Sequence, residues 1–123
     1  MHTDNQSEMT QQEYQQELDF IFNRFPSYQT VGKVAYKPGI ETMEALDGML
    51  GHPHRKFKCV HVEGTNGKGS TSHMLTAALQ KSYKVGLYTS PHLVDFRERV
   101  KVNGQMVSQE FVYEFLQSYK ERF

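Results

Sequence analysis

The stretch Gly64-Thr65-Asn66-Gly67-Lys68-Gly69-Ser70-Thr71 decides how the rest of the chain reads. An apolar run, Phe57-Lys58-Cys59-Val60-His61-Val62, leads into it, and Met74, Leu75, Ala78 and Leu79 lead out at helical spacing. Strand, glycine-rich turn with a lysine, then helix is the order of a phosphate-binding loop. Glycines let the backbone pass close to an anion. The first N–H groups of a helix have no partner within it, and its dipole favours negative charge there. The backbone of Gly64, Thr65, Asn66, Gly67 and Gly69 is therefore the candidate cradle, Lys68 the mobile charge, and Ser70 and Thr71 the hydroxyls for a phosphate or metal ion. The commonest loop pattern, G-x-x-x-x-G-K-[ST], is not met: Val62 stands five residues before Gly67, and Gly69 follows Lys68.

A second strand is predicted at Lys84-Val85-Gly86-Leu87-Tyr88-Thr89. Strand, helix and strand at this spacing predict a right-handed crossover between two parallel neighbours. Ligands of such sheets gather at the carboxyl ends of the strands. Strand one ends at the glycine loop and strand two at Ser90-Pro91-His92-Leu93, so both ends are expected at one crevice. The fold class is α/β, with parallel strands flanked by helices.

Around this unit the pattern is helical. Tyr14, Leu18, Ile21, Phe22 and Phe25 share one face, with Thr10 and Glu13 as a capping box and Pro26 as the stop. Residues 1–10 read as a loose tail, and Ser27–Gly39 as a loop. Ile40, Met43, Leu46, Met49 and Leu50 make a second stripe, ended by Gly51 and Pro53. His52 and His54, with no evident acidic or cysteine partner, read as a solvated connector rather than a metal site. Arg97–Val102 alternates, Asn103-Gly104 signals a hairpin, and Ser108 caps a last helix bearing Phe111, Val112, Phe115, Leu116 and Tyr119.

The chain has 123 residues, enough for one small domain, and its Lys plus Arg and Asp plus Glu totals are both 14. A zero net charge gives no field to steer it onto nucleic acid or an anionic membrane. No apolar run approaches a membrane span. The single Cys59 excludes an internal disulfide, and with no signal sequence in view a cytoplasmic location is expected.

Gly64-Thr65-Asn66-Gly67-Lys68-Gly69-Ser70 resembles the nucleotide loop of the Mur ligase superfamily, and its Gly-Lys-Gly-Ser ending is similar to the folylpolyglutamate synthase and dihydrofolate synthase branch. Lys84–Leu93 resembles that branch's second signature, and Phe96-Arg97-Glu98-Arg99-Val100, the Asn103-Gly104 turn and Tyr36-Lys37-Pro38-Gly39-Ile40 continue the likeness, which runs from about Leu18 to Phe115. The resemblance implies an ATP- and Mg2+-dependent ligase that phosphorylates a carboxylate of folate or dihydropteroate, whose acyl phosphate is then attacked by L-glutamate. It implies that Lys68 neutralises phosphate, that Ser90 ligates magnesium, and that Ser70 is the loop hydroxyl near metal or phosphate. Without it, Ser90 reads as a turn serine before Pro91. Folate contacts are implied near Asn23, Arg24, Phe25 and Pro26, with Phe25 equally readable as the last core residue of its helix. His92 reads as a packing or hydrogen-bonding residue or a substrate contact, and Arg97 and Arg99 as carboxylate ligands or as hairpin arginines paired with Glu98 or solvated.

Residues 11–123 are thus expected to be the N-terminal part of an ATP-binding domain, incomplete without further polypeptide. The resemblance places the other magnesium ligands, the family's modified lysine and the adenine and glutamate sites beyond Phe123, so that ligase activity is not expected of the chain alone. A free-standing nucleotide-binding module and another Mur-type ligase are the alternatives, the latter disfavoured by Ser90-Pro91-His92-Leu93.

Overall fold

A computed structural model describes residues 9–24 and 39–122. Helices α1 (Gln11–Arg24), α2 (Glu41–Met49) and α3 (Lys68–Leu79) come first, followed by short strands β1 (Gly86–Tyr88), β2 (Val100–Val102) and β3 (Gln105–Met106) and then helix α4 (Gln109–Tyr119). Phe25, Pro26 and most of the 27–39 loop lie outside the described residues.

The helix starts follow their capping chemistry. The Thr10 N–H donates to Glu13 Oε2 at 2.7 Å and the Glu13 N–H donates to Thr10 Oγ1 at 3.2 Å. This is the reciprocal capping box, which satisfies donors that a helix start otherwise leaves open. Ser108 Oγ accepts from the Phe111 N–H at 3.0 Å at the head of α4. The last turn of α2 ends at Gly51, whose φ of 76° is the left-handed geometry that stops a helix.

Tyr14 and Leu18 of α1 meet Val112 and Leu116 of α4 to make the buried core, with Ile21, Phe22, Phe96, Val107 and Tyr113 around it. The helix-period stripes recognised at both ends of the chain therefore face each other. Glu17 is buried in the same seam, where its Oε1 accepts from Gln117 Nε2 and, at 2.9 Å, from Lys120 Nζ. Burial, helped by the nearby Asp95 charge, raises the Tyr14 phenol above its ordinary value.

The sheet departs from the expected one. The order is β1-β2-β3, and both pairings are antiparallel: Leu87 lies opposite Lys101, and Lys101 opposite Met106. The Asn103-Gly104 hairpin is present, with φ of 47° and 79° at the two turn residues. Two successive positive φ angles define the turn whose twist matches that of paired strands. Phe57–Val62, expected as the first parallel strand, joins no ladder among the described residues, and Phe57 and Val60 are 62% and 69% exposed. The physical reason lies in what each pairing requires. A two-residue turn closes an antiparallel ladder locally, whereas a parallel pair needs neighbours along its edges and cover on both faces. Arg97–Val102 also differs: Phe96–Arg99 is a 3-10 turn, and only Val100–Val102 is strand.

Candidate functional site

Gly67 stands at the head of α3 with φ 80°, and no side chain caps that end. A side chain at this φ would be strained, which explains glycine here. Gly64 has φ 150°. Lys68 Nζ donates to the Gly64 carbonyl at 2.5 Å and lies 3.4 Å from that of Thr65. The ammonium is thus folded over the turn formed by its own loop. Further along α3, Thr71 N–H donates back to the Gly67 carbonyl at 2.9 Å, the first rung of the helix.

The second signature arrives at the same place. Gly69 and His73 from α3 line a cleft of about 310 Å³ together with Thr89, Ser90, Pro91, Leu93, Glu98 and Lys101. Gly69 and Ser90 thus line one cleft, but it is not a crevice between two parallel strand ends, because Phe57–Val62 joins no ladder among the described residues and the sheet that reaches Ser90 is antiparallel. The Ser90–Pro91 peptide is cis. Ser70 and Thr71 are exposed on the first turn of α3.

His92 sits among aromatic rings. Its ring centroid is 6.0 Å from those of Phe22 and Phe96, and its Nδ1 accepts from Arg99 Nε at 2.8 Å. The Arg99 guanidinium also lies over the Phe96 ring, 5.8 Å from its centroid. Phe22 precedes Asn23 and Arg24, so the end of α1 comes to the side of the second signature. Arg24 lies over the Phe20 ring at 5.9 Å, and Asn23 is exposed. Arg97 pairs within the chain with Asp95, not with Glu98 as expected, because the Glu98 carboxylate is taken by backbone N–H groups. Its Nη2 donates to Asp95 Oδ2 at 2.8 Å, and its Nε reaches both carboxylate oxygens at 3.2 Å. That pairing holds the Asp95 carboxyl below the usual range and raises Arg97.

Asp95, which the sequence reading does not single out, and Glu98, considered there only as a partner for the arginines, shape the loop after Ser90. Glu98 Oε1 accepts from the Leu93 N–H at 3.1 Å, and its Oε2 accepts from Val94 at 2.9 Å and Asp95 at 2.5 Å. These backbone donors, that of Asp95 foremost, hold the Glu98 carboxyl below its ordinary value. The signal was available: Asp95 and Glu98 have the spacing of a capping box. His73 and Lys101 were also passed over. Asp47 corrects the reading of His52 and His54 as partnerless, because its Oδ2 lies 2.5 Å from His52 Nδ1 and its Oδ1 2.6 Å from His54 Nδ1. Among the described residues no group of three His, Cys, Asp or Glu side chains is placed to hold a metal ion.

No family model matches the chain. Individual proteins do. Over 79 residues it is 47% identical to the dihydrofolate synthase/folylpolyglutamate synthase of Bacillus subtilis, a match covering 63% of this chain and 18% of that protein. A probable bifunctional folylpolyglutamate synthase/dihydropteroate synthase of Haloferax volcanii is 40% identical over 105 residues, 85% of this chain and 12% of the relative. Among solved structures, folylpolyglutamate synthase from Thermotoga maritima superposes with a TM-score of 0.75 at 34% identity, covering 89% of this chain and 24% of that one. The Lactobacillus casei folylpolyglutamate synthetase gives 0.71 at 27% identity, covering 89% and 26%.

Sequence and fold likenesses fall on one class, α/β proteins named as folylpolyglutamate synthase or dihydrofolate synthase. The chain is similar to part of such proteins. It spans less than a fifth of the length of these curated relatives and about a quarter of the solved chains.

Proposed function

We propose that this chain is the N-terminal, phosphate-gripping part of an ATP-dependent amide ligase that adds L-glutamate to folate or dihydropteroate through an acyl phosphate. The observation that carries this reading is the cleft shared by Gly69 of the glycine loop and Ser90 of the second signature. A carboxylate is a poor acyl donor. Transfer of a phosphoryl group to its oxygen breaks the bond between the γ-phosphorus and the bridging oxygen, and the product has a good leaving group. Attack by the glutamate amine then forms the amide and releases phosphate. Such chemistry asks the protein for position and charge rather than for a nucleophile.

Each residue has a part in this scheme. The N–H groups of Thr65, Asn66, Gly67 and Gly69 cradle the phosphates, joined by the open donors at the start of α3. Lys68 leaves the carbonyls of Gly64 and Thr65 for the phosphate oxygens, a stronger partner for an ammonium. The hydroxyls of Ser70 and Ser90 are hard oxygen donors of the kind magnesium accepts beside phosphate oxygens. When bound there, the ion neutralises phosphate charge. His92 and Arg99, already hydrogen-bonded to each other, and Asn23 and Arg24 at the end of α1 are the folate-side contacts in this scheme. The sheet is completed when parallel neighbours pair with the open backbone of Phe57–Val62. The phosphorylation and the amide bond then require groups from the remainder of the ligase.

Lys68→Ala tests the reading. In titrations of the chain with ATP and magnesium, nucleotide affinity should fall by at least about tenfold, as for loss of a charge-assisted hydrogen bond, while the far-UV circular dichroism stays unchanged. Equal affinity in the folded variant would sink the assignment.

A further inference from the structure

The cleft contains a charge that the scheme above leaves unused. Lys101 lies on the middle strand of the sheet, between Leu87 and Met106, and lines the cleft opposite Gly69 and His73 of α3. It is half-buried. Lysines that lose solvent are normally paired, yet among the described residues the Lys101 ammonium has no hydrogen-bond or ion-pair partner. Glu98, the carboxylate lining the same cleft, has both oxygens committed to the backbone N–H groups of Leu93, Val94 and Asp95. His73 is held to the α3 backbone through its Nδ1, 2.7 Å from the Gly69 carbonyl. The hydroxyls of Thr89 and Ser90 complete the polar lining, and Pro91 and Leu93 supply apolar wall.

From this juxtaposition we infer that Lys101 is a specificity-determining residue that binds an oxyanion, phosphate or carboxylate, in the cleft between α3 and the sheet. The inference rests on the ligase reading and deepens it. Phosphoryl transfer to a carboxylate brings two anions together, and Lys68 on the loop can neutralise only the one it touches. A second cation across the cleft lowers the repulsion between them, in a partly enclosed place where such charges are less screened than at the surface. The Ser90 hydroxyl can donate to the same anion.

The test uses the full 123-residue chain, labelled with nitrogen-15 and titrated separately with inorganic triphosphate and with N-acetyl-L-glutamate. Saturable shifts of the Thr89, Ser90 and Lys101 amides are expected with at least one of the two, and the effective anion tells whether phosphate or carboxylate is the preferred ligand. Lys101→Gln should weaken that binding by about tenfold, Lys101→Met should do the same while keeping the apolar stem, and Lys101→Arg should restore most of it. Unchanged affinity in both neutral variants, or no saturable shift with either anion, overturns the inference. Lys68→Ala separates the two proposals. If it weakens triphosphate while Lys101→Gln weakens neither anion, the loop reading stands and the Lys101 inference falls. If Lys101→Gln weakens binding and Lys68→Ala does not, the reverse holds.

Discussion

Glu98 shows how one side chain sets the shape of a functional loop. Its carboxylate gathers three consecutive backbone N–H groups, Leu93 to Asp95, and so fixes the segment that carries the chain from Ser90 into the 3-10 turn. Backbone hydrogen bonds hold its pKa low, Asp95's foremost, and the neighbouring Asp95 is held low chiefly by Arg97. The direction fixes the pH response. A carboxylate whose folded pKa is depressed contributes stability above its unfolded value, about 4.3 for glutamate and 3.9 for aspartate, and loses it as pH falls through the folded value. The amide resonances of Leu93, Val94 and Asp95 should therefore hold steady from neutral pH to about pH 4.5 and move together below that. In Glu98→Gln these amides should already be shifted at neutral pH and should lack the acid step. A Gln variant that retains the parent acid step would show that another group governs the loop.

The elements divide by how locally they are specified. The Asn103-Gly104 turn, the Thr10–Glu13 box and the Ser108 cap were legible because each is decided within four residues by backbone angles and one or two hydrogen bonds. Part of the candidate site could be marked in the same way: Gly69 of the glycine loop and Ser90 stand out by residue type, and both line the cleft. Phe57–Val62 was not, because a parallel strand exists only through distant partners, and apolar residues there state a need for cover without supplying it. Arg97 and Arg99 were ambiguous until the positions of Asp95 and His92 were known. The hairpin offers a direct check. At φ 79°, a Cβ on Gly104 would find only Gln80 Oε1 at 3.5 Å, an ordinary contact. Gly104→Ala should therefore cost about 1 kcal/mol through backbone conformation rather than collision. Ser108→Ala should cost a similar amount, about 1 kcal/mol, through the lost cap. Urea melts of each variant measure both. A Gly104→Ala variant as stable as the parent would mean that the turn angles differ from those seen here.

The molecule as a whole is held by a seam between its two ends, with the site suspended between them. Tyr14 and Leu18 near the start pack on Val112 and Leu116 near the finish. The glycine loop and α3 contribute only Thr76 to the buried set. Apolar side chains in the middle remain open to solvent, Met74 at 67% and Tyr88 at 70%, while Leu93 after the signature serine is 91% exposed. Such exposure leaves apolar surface uncovered on a chain whose matched relatives are several times longer. It also means that folding of the chain depends on few contacts. Leu116→Ala removes one of the four core side chains and leaves a cavity between α1 and α4, at an expected cost of about 2–4 kcal/mol. Small domains have only about 5–15 kcal/mol in hand, so the variant should lose much of its stability in a urea melt followed by circular dichroism. Met74→Ala, on an exposed position of α3, should change the midpoint little, by about 0.5 kcal/mol or less. Equal losses from the two substitutions would place the structural core around α3 instead, and the loop could then no longer be treated as a site carried by a scaffold built elsewhere.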